Sequence, residues 1–197
     1  MKKILLSGLI VGFIGSANAV TVNFDDLNAT NTGGGHFIND LATNYQGFTW
    51  DTNWLVGNNT FIKSFSGSTF DVPSLQNAVW NKSADPLLSL SNGTDFNFIG
   101  ASFAGFKGYE SDTITVNGYN NGSFIGTVSA ALSTDGSFSV LAANLNGVDQ
   151  LDFITGTTGT WLMDNFEYVA VPVPAAAWLF GSSLGLLGWI RRRTAAA

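Results

Sequence analysis

The sequence predicts an all-β fold, an antiparallel β-sandwich, followed by a single C-terminal transmembrane helix. Three observations predict it. Short runs rich in alternating, β-branched and aromatic residues recur through the middle of the chain, with no amphipathic helix of useful length between them. Asn-Gly and Asp-Gly pairs separate several of these runs and supply the positive φ that tight β-turns need. One uncharged apolar stretch near the C-terminus ends in three consecutive arginines.

The first element is an export signal over residues 1–19. Lys2 and Lys3 form a positive start, residues 4–15 are twelve uncharged, mostly apolar residues, and Ser-Ala-Asn-Ala follows at 16–19. Ala17 and Ala19 are the small residues that signal peptidase requires, so cleavage is expected after Ala19. As a helix, twelve residues reach only about 18 Å, short of a bilayer core of about 30 Å, which argues against a retained anchor.

Strands are expected at 20–24, 48–56, 78–82, 87–90, 96–106, 113–119, 123–129, 137–142, 151–155 and 161–169. Turns are expected at Asn92-Gly93, Asn121-Gly122, Asp135-Gly136 and Asn146-Gly147. Many short strands with glycine-rich turns indicate two packed antiparallel sheets. No internal repeat or long linker interrupts them, so residues 20–169 form one domain.

The last element occupies 170–197. No charge occurs from Tyr168 through Ile190. Pro172 and Pro174 block backward continuation of a helix, which therefore spans 175–190. Its sixteen residues reach about 24 Å, enough with bilayer thinning and arginine snorkelling. Trp178 and Trp189 sit near its two ends, where interfacial indoles are favoured. Arg191, Arg192 and Arg193 hold the far end in the cytoplasm. Export of the preceding domain requires the same orientation.

The order Pro172-Val173-Pro174, then Ala-Ala-Ala-Trp-Leu-Phe-Gly-Ser, a Leu/Gly-rich helix and an arginine cluster, resembles the PEP-CTERM sorting signal. Val173 stands where the namesake motif has Glu. The resemblance covers about the last 25 residues. It implies recognition, and cleavage near Pro174, by an exosortase-type membrane transpeptidase in an exopolysaccharide-producing Gram-negative bacterium. A second resemblance rests on Asn-Phe-Asp-Asp-Leu at 23–27, Tyr-Gln-Gly-Phe-Thr-Trp at 45–50, Ile-Thr-Val-Asn-Gly-Tyr at 114–119 and Trp-Leu-Met-Asp-Asn-Phe-Glu-Tyr at 161–168. These are similar to exported ectodomains of that family and imply a jelly-roll sandwich of the carbohydrate-binding, galactose-binding-like type.

Charge narrows the partners. The whole chain carries −6, but between residues 20 and 171 three lysines face fourteen acids, leaving −11. Such a surface repels phosphate backbones, which excludes nucleic acid, and suits Ca²⁺ or neutral partners such as sugars. With no cysteine there is neither disulfide nor thiolate chemistry.

Candidate sites are few. Asp25 and Asp26 follow the first strand and Asp164 lies in the last, and terminal strands of a jelly roll lie close together. The three carboxylates are the candidate Ca²⁺ ligands, because Ca²⁺ takes six to eight oxygens; surface acids at strand ends are the alternative. Phe48, Trp50 and Trp54 share one strand face. Exposed, Trp50 and Trp54 are sugar-stacking residues; buried, they are core. Trp80 and Trp161 carry the same two readings. His36, the only histidine, sits in a glycine-rich loop and reads as exposed rather than catalytic. Gly-Ser-Ser-Leu-Gly at 181–185 mimics a nucleophile elbow but lies in the membrane segment. Sequons at Asn28, Asn58, Asn81, Asn92 and Asn121 read as turn formers. The leading expectation is a non-enzymatic envelope or matrix protein associated with exopolysaccharide. A purely structural surface protein and a carboxylate-dependent glycoside hydrolase are the alternatives, the last disfavoured by only two glutamates, Glu110 and Glu167.

Overall fold

Alternation of buried and exposed side chains turns the middle of the chain into strands, and the buried set decides how they stack. The computed structural model describes residues 18–29 and 38–172. Residues 1–17 of the expected export signal with Ala17, His36, Val173, Pro174, the expected helix 175–190 with Trp178 and Trp189, and Arg191, Arg192 and Arg193 lie outside the described residues. Among the described residues, no helix is long and apolar enough to cross a membrane.

The elements in order are β1 (Ala19–Val22), β2 (Ile38–Asp40), β3 (Asn44–Tyr45), β4 (Phe48–Trp50), β5 (Trp54–Asn58), α1 (Asn59–Ser66), β6 (Asn77–Asn81), β7 (Leu87–Gly105), β8 (Thr113–Asn120), β9 (Ser123–Ala131), β10 (Ser139–Thr155) and β11 (Trp161–Ala170). All named strand pairs are antiparallel. Two of the strands, β7 and β10, are long enough to serve both layers of a sandwich. Residues 87–91 of β7 pair with β4 and with 150–154 of β10, which continues to β8 and β9. Residues 96–105 of β7 pair with β11 and with 139–148 of β10; beyond β11 come β6, β5 and β2, and β1 lies on the other half of β11. Register shifts between Ala142 and Gln150 mark where the pair changes layer. Bulges of this kind bend a strand and increase its twist.

Between the layers lies an aromatic core. Trp54 is fully buried, edge-on to Trp50 (5.1 Å), Trp161 (5.3 Å) and Phe153 (5.3 Å), and its indole N–H donates to the Ser89 carbonyl at 3.2 Å. The layers come close where β8 has glycine: a methyl group at Gly118 would lie 2.8 Å from Val148 Cγ1. A second, smaller core covers the outside of the second sheet, where Phe61 and Ile62 of α1 pack with Val72, Trp80, Phe106 and Leu162.

Several expectations change. Helix α1 was not expected: it is two turns long, started by Asn58, whose side chain accepts from Phe61 N, and ended by Gly67 in the left-handed region. The expected strand 48–56 is two strands, broken at 51–53 where Asp51 Oδ1 accepts from Asn53 N. Asn92-Gly93 is not a turn but part of β7, and Asn146-Gly147 lies within β10, where Gly147 (φ 65°) serves the bulged region. Asn121-Gly122, with φ of 48° and 75°, is the expected hairpin turn.

Candidate functional site

The core fills one face of the first sheet and leaves the other open. Leu88, Leu90, Leu151, Phe153, Ile114 and Val116 point inward and are buried. By period two their neighbours point outward. The register sets these neighbours in rows. Thr49, Ser91, Gln150, Tyr119 and Phe124 form the first, Ser89, Asp152, Asn117 and Thr127 the second, and Leu87, Ile154, Thr115 and Ser129 the third. Every one of them is half-buried or exposed.

Most of these side chains carry hydroxyl or amide groups. Asp152, the single charge in the three rows, accepts from Ser89 Oγ at 2.7 Å and Gln150 Nε2 at 2.8 Å, which fixes three polar groups in place. Tyr119 and Phe124 meet edge to face at 5.8 Å beside the 121–122 turn, and Phe124 is 58% exposed. At the β4 end, Thr49, Asp51, Ser89, Ser91 and Gln150 line a depression of about 210 Å³. The face therefore combines an aromatic platform with a fixed set of donors and acceptors. Sequence reasoning missed it. The available signal was an aromatic on each side of Asn121-Gly122, which places Tyr119 opposite Phe124 across a hairpin.

Trp50 and Trp54, sugar-stacking residues if exposed and core if buried, are core residues, 1% and 0% exposed. The face shared by Phe48, Trp50 and Trp54 points into the sandwich, and the Trp50 N–H is spent on the Tyr45 carbonyl at 3.0 Å. Trp80 and Trp161 are buried as well.

The carboxylates behave differently from one another. β1 runs antiparallel to β11, with Val22 opposite Phe166, so Asp25 does approach Asp164. Asp164 stands at a bulge in β11 where its edge partner changes from β6 to β1, next to Asn165 at φ 49°. It is fully buried, accepting from Ser74 N at 2.7 Å and Asn165 N at 2.6 Å. Burial, opposed by these bonds and reinforced by the nearby Asp25 charge, pushes its carboxyl up to about 6. Asp25 accepts from Ser74 Oγ at 2.9 Å and Asn77 N at 3.0 Å. Asp26 departs from the expected cluster: its oxygens accept from the Tyr45 hydroxyl and from Gln46 Nε2. Burial, then the Asp26 carboxylate, raise the Tyr45 phenol and keep it neutral. The expected grouping of Asp25, Asp26 and Asp164 is thus corrected to a pair, because successive side chains leave the chain in different directions. Among the described residues, no three His, Cys, Asp or Glu are grouped to hold a metal ion.

Of the expected processing residues, Ala19 opens β1 opposite Val169, and Pro172 is exposed just beyond β11.

No protein-family model matches the chain, and no curated protein does. Solved structures of similar arrangement include the K2 cleaved adhesin domain of Lys-gingipain, with TM-score 0.47 and 12% identity over 78% of this chain and 100% of that one. The CBM22-1 xylan-binding domain from Paenibacillus barcinonensis Xyn10C gives 0.45 and 13%, over 80% and 97%. CsCBM6-3 from Clostridium stercorarium, solved with cellobiose, gives 0.36 and 15%, over 67% and 91%. Likeness at this level is loose and says nothing of ligand.

Proposed function

We propose that this chain is an exported protein, sorted to the cell surface through its C-terminal segment, whose sandwich associates with exopolysaccharide and does not cleave it. The observation that carries the binding part is the outer face of the first sheet. A sugar ring presents C–H faces and a rim of hydroxyls, so its recognition needs a flat apolar surface beside fixed donors and acceptors. The exposed ring of Phe124, held edge to face by Tyr119, supplies the first; Gln150, Ser89 and Asp152, tied to one another by hydrogen bonds, supply the second. In this reading the sandwich is of the jelly-roll, galactose-binding-like type. The absence of any lysine or arginine from the three rows favours a neutral polysaccharide over an acidic one.

Hydrolysis of a glycosidic bond by the common route needs two carboxyl groups about 5–9.5 Å apart across the bound sugar. The face holds Asp152, already engaged by Ser89 and Gln150, and at the rim of the depression Asp51, which accepts from Asn53 N; with both carboxylates spent on structural hydrogen bonds, binding without turnover is the favoured reading. Export by signal peptidase, anchoring by residues 175–190 in the inner membrane, and handling by an exosortase-type enzyme at Pro172-Val173-Pro174 rest on the sequence. Calcium enters only through Asp25 and Asp164; equal melting temperatures with saturating Ca²⁺ and with chelator remove it.

The test is a glycan array and a polysaccharide pull-down with residues 18–171. Tyr119→Ala/Phe124→Ala is expected to lose at least about tenfold in affinity, about 1.4 kcal/mol, with melting temperature retained. Absence of binding to any glycan leaves a purely structural surface protein. Release of reducing ends returns the hydrolase.

A further inference from the structure

We infer that β9 is a pairing edge at which two copies of this chain associate, β9 against β9 in antiparallel register about a two-fold axis, so that the first sheet continues from one copy into the other. The inference concerns the rim of that sheet and stands whether or not its face binds a glycan.

The first sheet ends at β9, and no described strand pairs with its far edge. An unpaired edge presents a row of N–H and C=O groups to any strand that can reach it, so proteins blunt such edges with lysine, proline, bulges or brevity. The other free edges here are blunted. β1, β2 and β3 have four, three and two residues. In β2, moreover, Asp40 carries an ion pair with Lys82 at 2.8 Å. β9 has nine residues and neither charge nor proline. All nine are exposed or half-buried. The one irregularity of β9 is a bulge at Ile125, 47% exposed and without a partner residue on β8, which leaves Gly126 to Ala131 in regular register.

Charge selects the occupant. Residues 113–134, the whole β8–β9 hairpin and its exit, contain no charged side chain, whereas the unit around them carries −11. Two copies repel each other over most of their surface and least at this edge. A basic partner would be drawn to the acidic surfaces instead. A single strand is also its own complement in antiparallel pairing, and one such contact closes as a two-fold dimer. With the axis at Thr127, the middle residue of β9, Ile125 lies opposite the second copy's Ser129 and the five residues from Ile125 to Ser129 pair.

The absence of cysteine makes the test clean. Residues 18–171 contain both hydrophobic clusters and every described strand and serve as the test protein, beside the full chain in detergent. Sedimentation of the unaltered protein at about 100 µM, within the range of weak interfaces, is expected to show a dimer. Thr127→Lys sets like charges opposite each other at the axis, and is expected to weaken the dimer at least tenfold. Thr127→Glu does the same, and an equal mixture of the two variants restores the dimer as a heterodimer, which loss of folding cannot do. Thr127→Cys, mildly oxidised, forms a disulfide-linked dimer, while Thr52→Cys at the exposed β4–β5 turn does not. A monomer at that concentration overturns the inference. So does a dimer indifferent to both charge variants, or a mixture that fails to restore association.

Discussion

A carboxyl that folding pushes upward makes a protein more stable in acid, and Asp164 gives this chain such a signature. Its native value is about 6, against 3.8 for an ordinary aspartate, because burial penalises the charged form more than Ser74 N and Asn165 N relieve it. Above pH 6 the folded chain holds a buried charge; below it the native state takes up a proton that the unfolded state does not. Stability therefore increases as pH falls from 7.5 towards 4 and is fully gained below the unfolded value. Between pH 7.5 and pH 5 the linkage amounts to about 1.4 kcal/mol, and over the whole interval to about 3 kcal/mol. For a unit of this size that first figure is about 3–5 °C in melting temperature. Below about pH 4 the trend reverses. Lys63 beside Asp71, and Ser137 beside Asp135, hold those carboxyls low, and their contribution is lost as they protonate. The assay is thermal melting of residues 18–171, a fragment without His36 ambiguity once His36→Asn is introduced, at pH 7.5, 6 and 5. Asp164→Asn keeps the shape but cannot titrate, and it offers one acceptor oxygen where two backbone N–H groups point. It is expected to melt lower in acid and to show a flat profile across this window. A parent protein with equal melting temperatures at pH 7.5 and 5, or a variant that keeps the parent's slope, refutes the reasoning.

Other outcomes follow from the packing. Trp54→Ala removes the centre of the aromatic core and is expected to cost about 3–5 kcal/mol, read by denaturant unfolding. Gly118→Ala forces a methyl group against Val148 Cγ1 at 2.8 Å and is expected to cost about 1–3 kcal/mol while leaving the fold intact by circular dichroism. Asn81 is fully buried; it donates to the Asp85 and Gly159 carbonyls at 2.9 Å each and accepts from Trp161 N at 3.1 Å. Asn81→Leu leaves three backbone groups unpaired, with an expected loss of about 3 kcal/mol or more, measured the same way.

What could be read from the sequence depended on how local the signal was. Asn121-Gly122 needs only its own two residues to turn a hairpin, and it was legible. Asn92-Gly93 and Asn146-Gly147 look the same, yet they sit in β7 and β10, because two long strands have to change layer there and a glycine suits a bulge as well as a turn. Strands β2 and β3 have too few residues to show a period, and α1 is too short for its apolar positions to declare a face. The approach of Asp25 to Asp164 was legible from the pairing of end strands. That Asp26 would turn to Tyr45 was not, since a run of two acids carries no information on which one faces which neighbour. Period two placed Phe48, Trp50 and Trp54 together but could not say whether that face was wet or dry. The open face escaped notice for a related reason: its members come from β4, β7, β8, β9 and β10, and only the register puts Gln150 beside Tyr119.

The position of β11 has a mechanical consequence. Its final residues are held by β7 on one side and β1 on the other, and Val171 N is tied to the Asp95 carbonyl at 3.1 Å. A force pulling on the chain beyond Val171, along the strand, meets both rows of bonds together in shear. Rupture then requires many bonds to fail at once, whereas a strand peeled sideways releases them singly. Because β7 also runs into the opposite sheet, strain entering through β11 is spread over the whole sandwich. Extraction of β11 along its own axis is therefore the direction in which this fold resists most.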